Sequence, residues 1–249
     1  MSKLPGDPHG ADEATVRDRR DFLKTGLAVT AAALLPGIAA AATGATTSSQ
    51  AANATKRVLV INAHQQYPGI SEGRLNHTLA ALIKDEMENK GYQVQETYIE
   101  QGYGIDDEVK KHLWADIIVA QSPVFWFGAP WIYKKYIDEV FTAGMIQQAF
   151  ISGDGRTPDD PNRQYGTGGK MQGKQFMLSL TMNAPREVFD DKNQRLHAGR
   201  SLDELFSATT SVYKFCGVEI LPAFAAFDVI RAPQVASDMQ RLKQRLAAF

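Results

Sequence analysis

Two short apolar runs constrain this chain most. Val58-Leu59-Val60-Ile61 and Ile117-Ile118-Val119-Ala120 are uninterrupted and rich in β-branched residues, with no polar alternation. A strand of that kind must be covered on both faces, which places it inside a mostly parallel sheet flanked by helices. The intervening segments agree. Leu75, Leu79, Leu82, Ile83 and Met87 recur at helical spacing, and Lys90-Gly91 supplies a stop. Tyr92–Ile99 alternates as a second strand. A short helix is expected over 106–114, with acids first and Lys110-Lys111 later, as the helix dipole prefers. Further expectations are a helix from Trp131 to Phe141, a fourth strand over 175–182, one helix over 202–215, a fifth strand within 218–227 and a closing helix over 233–248. Residues 150–173 read as a long polar insertion. Strands alternating with helices mean βαβ units. The expected fold class is α/β, a flavodoxin-like, doubly wound, five-stranded parallel sheet of order 2-1-3-4-5 with helices on both faces.

The dinucleotide-binding competitor requires Gly-x-Gly-x-x-Gly in a tight turn after the first strand. That turn here reads Asn62-Ala63-His64-Gln65-Gln66-Tyr67 and is too long. There is no Gly-x-Ser-x-Gly elbow and no phosphate-binding Gly-x-x-x-x-Gly-Lys-Ser/Thr, which disfavours an α/β-hydrolase and a nucleotide triphosphatase. The formal net charge of −1 offers no basic excess for nucleic acid. The single cysteine, Cys216, rules out an internal disulfide framework and a multi-cysteine metal site, and reads as a small core residue.

The first 55 residues read as an address rather than a fold. Arg19-Arg20-Asp21-Phe22-Leu23-Lys24 precedes an uncharged stretch from Thr25 to Thr55. Leu27–Ala42 is only mildly apolar, is interrupted by Pro36-Gly37, and ends in small residues that suit cleavage. The arrangement resembles a twin-arginine export signal over 1–42, followed by an Ala/Ser/Thr-rich linker over 43–55. The folded domain is expected over 56–249, in a periplasmic or otherwise exported protein.

Ligands of open α/β sheets bind outside the carboxyl ends of the strands. Three segments fall there. Ser122-Pro123-Val124-Phe125-Trp126-Phe127-Gly128-Ala129-Pro130 follows the third strand and places flat side chains at the rim, which suits a planar ring. The alternative is a hydrophobic turn that packs the next helix. Ser71-Glu72-Gly73-Arg74-Leu75-Asn76-His77-Thr78 opens the first helix, where unpaired N–H groups and the helix dipole would hold a phosphate. Ser71, Asn76 and Thr78 would add neutral donors and Arg74 a cation; plain capping by Ser71 is the simpler reading. Thr181-Met182-Asn183-Ala184-Pro185 ends the fourth strand, where exposed backbone groups would read the polar edge of a ring. His64 is a candidate phosphate or adenine contact, or a structural histidine. Tyr165, within the long insertion, would cover a ring or donate to a substrate oxygen, or else belong to a solvent loop. No metal site is expected.

These residues together resemble the NAD(P)H quinone oxidoreductases of the flavodoxin-like superfamily, with greatest likeness to the bacterial modulator of drug activity B branch. The likeness is carried by Leu75-Asn76-His77-Thr78, Leu113-Trp114-Ala115-Asp116, Gly128-Ala129-Pro130-Trp131, Lys134-Lys135-Tyr136-Ile137-Asp138, Ser152-Gly153-Asp154-Gly155-Arg156-Thr157, Gln172-Gly173-Lys174, and Leu178-Ser179-Leu180-Thr181 with Asn183-Ala184-Pro185. The resemblance implies a homodimer that binds FAD and reduces quinones by two electrons from NADPH or NADH. It implies cofactor contacts at Ser71, Gly73, Arg74, Leu75, Asn76 and Thr78 for the phosphates. For the ring it implies Val124, Phe125, Trp126, Phe127, Tyr165, Thr181, Met182, Asn183 and Ala184. Met182 stands where the branch often has Trp, and Val124-Phe125 where it often has Gly-Trp. An FMN-dependent azo- or nitroreductase and a non-enzymatic flavin carrier are the alternatives. The export signal is a departure from a usually cytoplasmic family, and it would take the protein away from the NADPH supply.

Overall fold

The computed structural model describes residues 55–249; the expected signal over 1–42 and the linker up to residue 54 lie outside them. The strands are β1 (Arg57–Asn62), β2 (Gln93–Tyr98), β3 (Ile117–Pro123), β4 (Gln175–Thr181), β5 (Glu219–Ile220) and β6 (Phe224–Ala226). The helices are α1 (Arg74–Asn89), α2 (Ile105–Trp114), α3 (Trp131–Ile146), α4 (Leu202–Leu205), α5 (Ser207–Phe215) and α6 (Val235–Ala247). The strands pair in parallel in the order β2-β1-β3-β4-β5, with β6 also on β4. This is the expected 2-1-3-4-5 arrangement, with one refinement. The fifth position is filled by two pieces, β5 against Gln175-Phe176 and β6 against Ser179–Thr181. Pro222 lies between them and has no N–H to give the ladder.

The period of two sorts the strand side chains between two cores. Val58, Val60, Ile117, Val119 and Met177 pack with Leu79, Ile83 and Met87 of α1 and Leu242 and Leu246 of α6. Leu59, Ile61, Ile118, Ala120, Phe176 and Leu178 pack on the other face with Val109 of α2, Tyr133 and Tyr136 of α3 and Tyr213 of α5. Both central strands are covered on both sides, as their unbroken apolar sequence requires. Cys216 is buried in this second core. Burial pushes its thiol up to about 12, which makes it chemically quiet.

The helix expected over 202–215 is broken. Ser201 and Glu204 form a reciprocal capping box at the start of α4. Phe206 then leaves helical geometry at φ −99°, ψ 11°, and α5 begins at Ser207. The hydroxyls of Ser207 and Ser211 donate to the carbonyls of Glu204 and Ser207. Phe206 is buried, and its side chain lines the larger cavity described below.

Candidate functional site at the carboxyl edge of the sheet

The loop after β1 folds back on itself before α1 starts. Tyr67 and Ser71 exchange both backbone hydrogen bonds (3.0 and 2.8 Å). Ser71 is therefore held in this turn and does not cap the helix; its hydroxyl lies 3.4 Å from His64 Nε2. The helix entry belongs to Gly73, at φ 75°, with no side-chain cap. A Cβ there would stand 2.6–2.8 Å from the His64 ring, so only glycine fits. The first helical bond runs from His77 N–H to the Gly73 carbonyl. Among the described residues the N–H groups of Arg74, Leu75 and Asn76 find no protein acceptor, and these three residues line a cavity of about 210 Å³. Such an amide cluster at a helix N-terminus matches the needs of a phosphate.

Two side chains expected to add donors face elsewhere. Asn76 is buried, with Nδ2 donating to Asn62 Oδ1 (2.9 Å) and Oδ1 accepting from Gln121 Nε2 (3.0 Å), so it offers the cavity its backbone N–H alone. The Thr78 hydroxyl donates to the Arg74 carbonyl one turn back (2.8 Å). Arg74 is exposed at the mouth. His64 is 1 % exposed, its Nδ1 lying 3.2 Å from Glu100 Oε2, and it forms part of the cavity wall. Burial lowers the pKa of the neighbouring His77.

The loop after β3 is a two-residue hairpin. Phe125 and Gly128 exchange both backbone bonds, and Trp126 (φ 47°) and Phe127 (φ 69°) both occupy the left-handed region. That region costs a residue with a Cβ about 1–2 kcal/mol, and hairpins of this kind ordinarily use Asn-Gly. Two aromatic side chains are thereby held outward, Trp126 being 93 % exposed. The strain is an observed backbone outlier at a ligand edge, the usual place for such outliers.

The loop after β4 is anchored from β6. Met182 N–H donates to Ala226 O, while Val229 and Asp228 donate to the carbonyls of Met182 and Ala184. Val124 N–H takes the Thr181 carbonyl. One acceptor position of each of these carbonyls is thus filled by the protein itself. The N–H groups of Asn183, Ala184, Trp126 and Phe127 have no protein acceptor among the described residues. Together they form a donor set suited to the carbonyl oxygens of a flavin, and the amides at α1 suit its phosphate. The residues present fit that cofactor.

Val124, Trp126, Phe127, Met182, Asn183 and Ala184 line a second cavity of about 540 Å³, within the range of small-molecule sites. Val124, Met182 and Asn183 also line the smaller cavity, so the two share a wall. Phe125 and Thr181 belong to the smaller cavity only. The rest of the large cavity was not foreseen. It comes from the polar stretch after β4 and from the helix break, through Phe189, Leu196, His197 and Phe206. His197 is buried and stacked on Phe189 (5.1 Å) with Phe127 edge-on (6.4 Å). The loop after β6 adds Val229 and Ile230 to the smaller cavity. Isolated apolar residues in a polar stretch were the available signal. Tyr165 lines neither cavity; it leans on Phe215 (5.2 Å) beneath the Arg156 guanidinium.

Comparison with known proteins follows this geometry. Residues 56–249 match the family model described as a flavodoxin-like fold, and residues 18–36 match the twin-arginine translocation signal model, which supports export by that pathway. The chain is 42 % identical over 167 residues to the NADPH:quinone oxidoreductase MdaB of Haemophilus influenzae, covering 67 % of this chain and 85 % of that one. A putative quinone reductase from Klebsiella pneumoniae superposes with a TM-score of 0.63 at 24 % identity, covering 78 % and 85 % of the two chains. The general stress protein 14 of Treponema denticola, solved in complex with FMN, shares the fold at a TM-score of 0.52 and 19 % identity, with coverage of 78 % and 98 %. The parallel sheet, the rim it builds and these likenesses agree: the chain belongs to the flavodoxin-like family of NAD(P)H quinone oxidoreductases.

Proposed function

We infer that this protein is an exported, FAD-dependent NAD(P)H:quinone oxidoreductase that works as a homodimer in the periplasm. One observation carries the reading: two cavities share a wall made by Val124, Met182 and Asn183, and the unpaired amides of the first helix open into one of them. The smaller offers unpaired helix amides with Arg74 at its mouth, as a phosphate requires. The larger is apolar and wide enough for a planar acceptor. A bound flavin supplies two-electron hydride chemistry at its N5, with a nicotinamide as donor and a quinone as acceptor.

The chain's own contribution is orientation and exclusion of water. The amides of Arg74, Leu75 and Asn76 fix the phosphate end. Those of Trp126, Phe127, Asn183 and Ala184 fix the polar edge of the ring. Phe127, Met182, Phe189 and Phe206 keep water from the reacting face. Tyr165 lies away from its own chain's cavities, so its role in positioning substrate requires a second copy to carry it over the first copy's rim, as the homodimer reading allows. The donor outside the cytoplasm is NADPH, NADH or another reductant.

The test starts from the visible spectrum of protein purified without added cofactor, with the flavin extracted and weighed to separate FAD from FMN. Anaerobic mixing with NADH or NADPH, then with a water-soluble quinone, follows. Reduction by a nicotinamide and reoxidation by the quinone are expected. Colourless protein that binds neither flavin on titration would end the reading; reduction only by another protein would favour a carrier.

A further inference from the structure

Two histidines stand side by side at the entry of α1, with ring centroids 5.2 Å apart, and their hydrogen bonds differ in kind. His64 Nδ1 faces the Glu100 carboxylate, and Nε2 faces the Ser71 hydroxyl, which either donates or accepts. A proton on either nitrogen of His64 therefore has an acceptor. His77 has no such freedom. Its Nδ1 lies 2.8 Å from Asn62 Nδ2, an amide nitrogen that can only donate.

A backbone group fixes the sense of that contact. Asn62 Oδ1 accepts from the His64 N–H (3.2 Å), which cannot be turned round, and from Asn76 Nδ2 (2.9 Å). Asn62 thus presents its NH2 to His77, and Nδ1 must meet it with a lone pair. The same constraint runs back through the fold. With Nδ2 given to Asn62, Asn76 keeps its Oδ1 for Gln121 Nε2, and Gln121 keeps its Oε1 for the Ser179 hydroxyl. All four residues are buried. Every member of this chain donates in one direction, and His77 is the acceptor on which it ends.

The imidazole fits this place only when neutral, with its proton on Nε2. An imidazolium would set N–H against N–H at that contact and force it open. Asn62 would then lose the partner that orients it, and Asn62 is what holds Asn76 at the start of α1 and the backbone of His64 in the cavity wall. The charged and titratable groups facing His77 are His64 from the loop after β1, Tyr98 from the end of β2 (stacked, 6.1 Å) and Glu100 from the turn beyond it, with Arg74 one turn earlier on α1. Burial, and then the His64 ring, hold the His77 pKa below the ordinary 6.5 against the pull of Glu100. His77 lines neither cavity, so it acts on a ligand through Asn62 and not by touching it.

We propose that neutral His77 is a positioning residue for the phosphate site: it anchors the amide chain that sets the start of α1, and its protonation releases that chain and weakens whatever the helix amides hold. The consequence for flavin rests on the function inferred above; the coupling of His77 to the amides does not. If only the neutral form is competent, the apparent Kd rises about tenfold for each pH unit below the His77 titration.

The experiment uses the full chain with its bound flavin, from pH 7.5 to 5, with released flavin separated by ultrafiltration and measured by absorbance. Nitrogen-15 spectra of the histidine side chains and backbone amides are recorded on the same protein and after flavin removal. Expected are an Nε2–H tautomer for His77 at pH 7.5, its loss below about pH 6.5, shifts of the Arg74, Leu75 and Asn76 amides on the same curve, and flavin release that follows them. His77→Asn places an oxygen near the position of Nδ1 at every pH and should flatten the release profile while retaining flavin. His77→Lys carries a charge and no acceptor, and should weaken flavin binding about tenfold throughout. The lysine separates bond from charge, because a cation acting only on the phosphate would tighten binding. An Nδ1–H tautomer at neutral pH overturns the proposal, as do helix amides indifferent to the His77 titration. An unaltered release profile in His77→Asn overturns it in favour of His64 or Glu100. Amides that follow His77 in a protein that binds no flavin leave the coupling intact and sink the cofactor reading.

Discussion

Two buried polar assemblies sit on this fold and differ in charge. Beneath the carboxyl edge, Ser179 Oγ donates to Gln121 Oε1 (2.6 Å), Gln121 Nε2 to Asn76 Oδ1 (3.0 Å), and Asn76 Nδ2 to Asn62 Oδ1 (2.9 Å). This neutral chain ties the ends of β1, β3 and β4 to the start of α1. Between β2, α2 and α3, the buried carboxylate of Glu108 accepts from Thr97 (2.8 Å), Tyr136 (2.7 Å) and Lys111 (2.7 Å). One turn on, His112 gives its Nδ1–H to the Glu108 carbonyl and leaves Nε2 without a partner. The neutral chain fixes the site by geometry without an ionisable member of its own, and meets one only at its end, where Asn62 Nδ2 lies 2.8 Å from His77 Nδ1. The charged cluster joins elements remote from the site and carries a titration cost.

The comparison breaks most sharply at Glu108. Glu108→Ala takes the carboxylate acceptor from the Thr97 and Tyr136 hydroxyls and the ion pair from Lys111, which keeps the Glu96 carbonyl and Thr97 hydroxyl, and should cost about 3 kcal/mol in urea unfolding. Flavin affinity of the protein that remains folded should stay within about twofold. A loss of affinity matching the loss of stability would show that the two assemblies are not separate.

His112 tests the titration cost. Complete burial lowers its pKa to about 4, because the charged ring would lose its water. The unfolded chain takes up this proton below about pH 6.5, and the native state does so only near 4. Stability present at neutral pH is therefore lost as pH falls through that window, by about 3 kcal/mol. His112→Phe should lack this component. Urea midpoints from pH 7.5 to 4 should fall less steeply in the variant, and parallel slopes would refute the assignment.

Gln121 carries the neutral side. Gln121→Leu leaves the Asn76 carbonyl oxygen and the Ser179 hydroxyl buried without partners, at about 2–3 kcal/mol. Here stability and flavin affinity should fall together. Unaltered binding would mean that the amides of α1 are held without the chain beneath them.

How much of this was legible depends on how local the cause is. The apolar runs of β1 and β3 and the helical spacing of Leu75–Met87 are local, and the sheet order followed from them. The division of the fifth strand also has a local cause, Pro222, but the pairing of β6 with Ser179–Thr181 does not. Asn76 was readable as a helix-start residue. That its side chain turns inward onto Gln121 depends on how α1 sits on the sheet, which periodicity does not state. The rim was legible as three loops because each follows a recognisable strand. The walls from Phe189 and His197 come from a stretch without periodicity, placed by contacts with Phe127 and Phe227, and Phe206 stands where the helix expected over 202–215 breaks.

The smallest effect separates backbone from contact at the helix entry. Gly69 (φ 74°) and Gly73 (φ 75°) share a left-handed φ, so an alanine at either bears strain of about 1–2 kcal/mol. Only the surroundings differ. A Cβ at Gly69 meets nothing within 4 Å, whereas one at Gly73 strikes the His64 ring. That ring is hemmed in by Glu100 and Ser71 and cannot swing aside without breaking contacts. Gly69→Ala should lower the urea midpoint and leave flavin affinity unchanged. Gly73→Ala should lower the midpoint by a similar or slightly larger amount and weaken flavin binding about tenfold, because the displaced ring or helix start moves the amides of Arg74, Leu75 and Asn76. Adding His64→Ala to Gly73→Ala should recover part of the affinity and none of the backbone strain. Equal flavin affinities for the two single variants would show that the amides tolerate movement, and the neutral chain would then be holding a site that does not depend on its precision.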